Sequence, residues 1–175
     1  VVDEGGKGYA YKWPIYFFVA VAFWNLVGAG VFGFLINPPI VLYYAQGINT
    51  TPIHSHGALF GVYGMLAISL MLFSVRHIVT KASWSDSLLK WSFWGLNGGL
   101  AGMMVFSLIP SGFFQFYHAV KEGLWFARSP EITSHEFIRT VTWMRMLPDV
   151  IFAVGAFSLL LFLLRSIWLS FLKKS

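Results

Sequence analysis

The sequence predicts an all-α protein, a polytopic bundle of four membrane-crossing helices, on three observations. Of its 175 residues, 57% are hydrophobic and 11% charged, a balance that belongs to polytopic membrane proteins. Four apolar segments each reach the roughly 20 residues needed to cross the hydrocarbon core. Lys and Arg fall mostly at the ends of those segments, as in a spanning chain, so the net charge of +5 calls for no nucleic-acid partner. The 18 Phe, 8 Trp and 7 Tyr suit lipid contact, interfacial belts and packing around a large flat ligand. Cysteine is absent, which excludes disulfides, thiolate metal sites and covalent c-type haem attachment within this chain.

Residues 1–12 are polar and Gly-rich near the start and read as a loop, not a leader. With no starting Met, the chain is expected to be a piece of something longer. The first apolar segment covers about residues 13–37 and stops at Pro38-Pro39, after which residues 40–44 can turn helical again. The second covers about 52–75. Pro52 suits a first helical turn, where its missing N–H is no loss, and Thr50 or Thr51 is a fair cap. The third covers about 88–117, with a kink expected at Pro110. The fourth covers about 148–172, leaving 173–175 as a short basic tail.

Loop charge sets the expected orientation. Arg76, Lys81 and Lys90 flank the second connection with one acid, Asp86, and Arg165, Lys173 and Lys174 close the chain with none. Lys7 and Lys12 lie at the start, while residues 45–51 carry no charge. The positive-inside rule puts both termini and the second connection in the cytoplasm. The third connection holds Lys121, Arg128, Arg139 and Arg145, offset by Glu122, Glu131 and Glu136. The second helix then runs from outside to inside, with His54 and His56 near its outer end.

His54-Ser55-His56 carries the chemistry of this chain. An imidazole in lipid is costly unless it is used or satisfied, so two mark a functional site by default. Positions i and i+2 lie about 200° apart around a helix, so the rings leave on nearly opposite sides. One metal shared by both is excluded on a regular helix, where i, i+3 or i, i+4 spacing is required. Two separate sites fit the geometry. Neutral imidazole suits iron, zinc and copper and is the usual axial ligand of b-type haem. Spacing alone leaves ligation and hydrogen-bonded packing both open. Small residues also recur at four-residue spacing: Ala29 and Gly33, Gly57 and Gly61, Gly95 and Gly99, Gly98 and Gly102. Most of these read as close helix packing. Gly57, next to the His pair, is expected to leave a bare surface for a macrocycle.

Three blocks carry a resemblance. Residues 24–37 (WNLVGAGVFGFLIN), 49–64 (NTTPIHSHGALFGVYG) and 124–129 (LWFARS) resemble signature stretches of the catalytic subunit of bacterial nitric oxide reductases, relatives of the haem-copper oxidases. The likeness runs over about residues 13–164, and the Asn-Thr-Thr-Pro lead-in is similar to the quinol-dependent type. It implies the last four helices of a twelve-helix core in the bacterial cytoplasmic membrane, the His pair lying on the tenth. His54 is carried over as the proximal ligand of a high-spin haem b, and His56 as one axial ligand of a low-spin haem b. The whole enzyme would reduce two NO to N2O and water, with electrons from quinol or cytochrome c. The non-haem iron, its ligands and the second low-spin ligand would come from the N-terminal remainder of the catalytic chain, against which this segment would pack.

His77, His118 and His135 lie outside the apolar spans and read as loop or interfacial residues. Arg145 lies where a haem propionate could meet it, against the alternative of an i, i+4 pair with Asp149. Asp149 itself sits in a first turn, where a carboxylate offsets the helix dipole. Asn25, Asn37 and Asn97 read as interhelical hydrogen-bond partners. Competing readings are an oxygen-reducing relative with copper at the second metal site, a dihaem electron-transfer cytochrome, and a membrane scaffold in which both His only pack.

Overall fold

The computed structural model describes residues 9–79 and 83–172; Lys7, Lys81, Lys173 and Lys174, the start of the expected N-terminal loop and the expected tail lie outside the described residues. The described residues form α1 (Lys12–Ile36), α2 (Pro39–Ala45), α3 (Thr50–Ile78), α4 (Asp86–Glu122), α5 (Leu124–Ala127), α6 (Pro130–Thr133), α7 (Glu136–Met144) and α8 (Met146–Leu172). Four helical stretches are long and apolar enough to cross a membrane: α1, α3, α4 and the run through α7 and α8. The connection between α4 and α8 is itself mostly helical.

Local sequence explains the breaks. Pro38 takes an extended backbone (φ −54°, ψ 134°), because a residue preceding proline is pushed out of the helical region. Pro39 then opens α2. The turn between α2 and α3 needs a positive φ, supplied by Gly47 at 73°. Pro110 does not end α4. The turn before it, Met104–Leu108, widens to π-helical pairing, which makes room for the proline ring and lets the helix continue to Glu122.

Water does not drive these helices together in lipid, so close packing and hydrogen bonds must. The central element is α4: half of its most apolar window is buried, against 17–22% for the other three spans. It meets α8 through glycines. A Cβ on Gly95 would lie 2.6 Å from the Gly155 Cα, and one on Gly99 2.6 Å from the Phe152 Cβ. On the other side, α1 and α3 touch backbone to backbone at Gly28 and Gly57. Phe17, Met65, Leu72, Leu96, Leu100 and Phe162 fill the middle. Polar groups close the rest: Trp13 Nε1 donates to Asp86 at 2.7 Å and Ser69 Oγ to the Pro14 carbonyl at 2.8 Å. Trp24 Nε1 donates to Asn97 Oδ1 at 2.8 Å, and the Asn97 amide returns to the Phe93 carbonyl.

Candidate functional site

The His pair sits one turn into α3, and the start of that helix is held on several sides. The Thr50 and Thr51 hydroxyls both donate to the Ala45 carbonyl, at 2.9 and 3.2 Å, tying α3 to the end of α2. The Asn49 amide side chain donates to Ser111 Oγ (3.0 Å), and its backbone N–H donates to Gln115 Oε1 (2.9 Å), both on α4. Gly112 allows that approach, since a Cβ there would lie 2.9 Å from the Thr50 nitrogen. Gln115 also donates to the Ala127 carbonyl at 3.2 Å, and the Arg128 guanidinium lies against Gly47. The blocks at 49–64 and 124–129, far apart in sequence, therefore meet through one buried glutamine.

Each imidazole is oriented by a carbonyl. His54 is half-buried and reaches α1, where its Nδ1 lies 3.1 Å from the Gly28 oxygen. His56 is also half-buried, with Nδ1 2.8 Å from the Pro52 oxygen of its own helix. A carbonyl only accepts, so in both rings Nδ1 carries the proton and donates. That leaves an Nε2 lone pair on each ring; in metal sites built from imidazole, such an outer partner fixes ring orientation and raises ligand basicity. His54 faces α1; two residues on, about 200° around the helix, His56 leaves on the other side. Among the described residues no three His, Cys, Asp or Glu form a group that could hold a metal ion.

Helix geometry is unusual here. Asn25–Val31 and His56–Gly64 are π-helical, a rare form concentrated at functional sites. Widening shifts backbone pairing by one residue: Phe32 N–H bonds the Val27 oxygen and Met65 N–H the Phe60 oxygen. The two widened segments face each other, with the Gly28–Gly57 contact between them.

That contact corrects the expectation for Gly57. Its Cα face is not bare for a macrocycle; a Cβ there would come within 2.5 Å of the Gly28 Cα, so the position serves helix packing. Gly61 likewise seats the Trp24 side chain. Gly33 differs, because a Cβ on it would meet the His54 ring at 2.9 Å. It makes room for the His54 ring itself.

The remaining candidates are engaged locally. His77 Nδ1 lies 3.2 Å from the Tyr11 hydroxyl, and His118 Nδ1 2.9 Å from Glu122. His135 Nδ1 accepts the Phe137 N–H at 3.2 Å and so caps α7. Arg145 Nε donates to Asp149 Oδ1 at 3.1 Å, one turn away and partly exposed, a pair worth about 0–1 kcal/mol. Asn97 bridges helices, while Asn25 and Asn37 are exposed. The roles of the Gly28 carbonyl and Gln115 were not foreseen. Gln115 had a signal, a polar side chain four residues after Ser111 and so on the same face of α4.

One curated relative, a nitric oxide reductase subunit of Stutzerimonas stutzeri, is 26% identical over 140 residues, covering 74% of this chain. The chain spans only 28% of that relative's length. Residues 4–158 match the family described as "Cytochrome C and Quinol oxidase polypeptide I". With most of its length matched, and four helices able to span a membrane, the chain belongs to this family of multi-pass membrane oxidoreductases.

Proposed function

We propose that this chain is the C-terminal part of a nitric oxide reductase catalytic subunit, holding one side of two haem b groups. The observation that carries the reading is that each Nδ1 lies within hydrogen-bond reach of a carbonyl, His54 on α1 and His56 on its own helix; a carbonyl only accepts, so each Nε2 would be left as a lone-pair donor. His54 would hold the high-spin haem iron and His56 the low-spin one. Bound haem iron would supply electron relay on the low-spin side and the site of NO reduction on the other. What the chain does is fix two donors on one rigid helix, anchored by Asn49, Thr50, Thr51 and Gln115, and pack glycines against the back of that helix. The 26% identical relative supports NO as substrate. The further donors, for the non-haem iron and for the low-spin haem, would come from the N-terminal remainder of the catalytic chain, with quinol or cytochrome c as electron source. Loop charge supports a bacterial cytoplasmic membrane with both termini inside.

The test is anaerobic turnover by the full-length protein with metal analysis. Two NO consumed per N2O formed, with iron and no copper, is the expected result. Copper at the second site, with oxygen consumption and no N2O, would move the chain to the oxygen-reducing branch that the family description also covers.

Arg145 gives a narrower test. If it meets a propionate, Arg145→Ala shifts one haem potential and weakens retention of that haem. If Asp149 is its whole role, stability changes by less than about 1 kcal/mol and both potentials stay put in a redox titration.

A further inference from the structure

Gln115 of α4 is 5% exposed, and this chain alone encloses it. Its amide makes two bonds of opposite sense. Oε1 accepts the Asn49 N–H at 2.9 Å, and Nε2 donates to the Ala127 carbonyl at 3.2 Å. We propose that Gln115 is a positioning residue for both imidazoles: it sets where the first turn of α3 stands, and through that turn the orientation of the His54 and His56 rings. The inference rests on the ligation reading given under Proposed function and adds to it a residue on another helix.

Three observations carry it. The first is the cap of α3. Asn49 stands at the N-cap but makes no side-chain capping bond, although asparagine there ordinarily accepts from a backbone N–H of the first turn. Its side-chain amide goes to Ser111 Oγ instead, at 3.0 Å. Ser111, 1% exposed, keeps a lone pair for it by donating its own proton to the Ser107 carbonyl at 2.7 Å. The start of α3 thus forgoes a local cap for two bonds to α4. The second is what the turn carries. Thr50–Ser55 holds His54 itself and also Pro52, whose carbonyl lies 2.8 Å from His56 Nδ1. A shift of this one turn moves the His54 ring and the acceptor that orients His56 together. The third is the chemistry at position 115. A backbone N–H on one side and a carbonyl on the other require an acceptor and a donor at once, which a neutral amide supplies. Both partners are buried ends of short connections, where an unmet polar group costs more than a made bond returns.

The experiment uses the full-length protein and two spectroscopic signatures. The iron–histidine stretch of the reduced five-coordinate haem reports His54. The electron paramagnetic resonance g-values of the oxidised low-spin haem report His56. Gln115→Met keeps the length of the side chain and removes both bonds. It should shift both signatures and lower NO turnover about tenfold or more, as loss of an outer partner of a metal ligand does. Gln115→Asn, one methylene shorter, reaches one partner only; it should shift both signatures by less, and it decides the matter if Gln115→Met does not assemble. Ser69→Ala is the control for stability alone. It removes a buried bond from α3 to the Pro14 carbonyl further along the helix, and should lower the melting temperature with both signatures unmoved. Gln115 variants that melt early but keep both signatures, or that shift one and spare the other, would overturn the proposal. If His54→Ala and His56→Ala leave the two signatures in place, the ligation reading fails and takes this inference with it. If they remove the signatures while neither Gln115 variant shifts them, this inference alone fails.

Discussion

Gly57→Val is expected to separate α1 from α3 and to detach His54 from its carbonyl in one step. A Cβ at Gly57 would stand 2.5 Å from the Gly28 Cα and 3.3 Å from the Gly28 carbonyl carbon. Both obstacles are backbone, so no rotamer change relieves them and the helices must move. Overpacking of this kind costs about 1–3 kcal/mol, more where the surroundings cannot yield. The same Gly28 carries the carbonyl that receives His54 Nδ1–H, so separation also frees the ring to rotate. We expect a clear drop in thermal stability and, on the proposed function, loss of the haem that His54 would hold. The control is Gly98→Ala in the same bundle, where a Cβ meets nothing within 4 Å. It should be neutral or gain up to about 1 kcal/mol, since glycine inside a helix is the poorer residue. If Gly57→Val melts like Gly98→Ala, the Gly28–Gly57 contact does not hold the helices.

The fold class was legible because its signals are long-range averages. Runs of about 20 apolar residues, charges at their ends and proline at Pro38-Pro39 survive any detail of packing. The His pair stood out because imidazole is rare and costly in lipid. What escaped was set by contacts between distant residues. Nothing at Gly57 distinguishes a glycine that admits a cofactor from one that admits another helix. The structure decides it through Gly28, on a helix whose packing angle the sequence does not print. At Pro110 the helix widens over Met104–Leu108 and continues to Glu122, a way of housing the ring that depends on neighbours. The π-helical turns at Asn25–Val31 and His56–Gly64 left no periodic trace either, since both are apolar around most of their circumference. Gln115 and Asn49, by contrast, join the two blocks that looked most distinctive in sequence.

Separate losses of two haem signals are the expected result of removing the two imidazoles one at a time from the full-length enzyme. His54 Nδ1 meets a carbonyl on α1 and His56 Nδ1 one on α3 itself, so each ring can be cut without touching the other's orienting carbonyl. His54→Ala should abolish the component that binds carbon monoxide in the reduced state and leave the six-coordinate spectrum. His56→Ala should do the reverse. Removing an outer partner of a metal ligand already costs about 10–100-fold in activity, so removing the ligand itself should cost at least about 100-fold in NO turnover in either variant. Added imidazole should restore part of the missing spectrum, because the truncated side chain leaves a ring-sized space beside an intact carbonyl acceptor. A packing role predicts something else. Both variants would then lose assembly together, imidazole would restore nothing, and whatever protein survived would keep both spectra. A dihaem electron carrier predicts no carbon monoxide binding even before mutation. The spectra of these two single variants thus separate ligation from packing on the one helix where the sequence places both imidazoles.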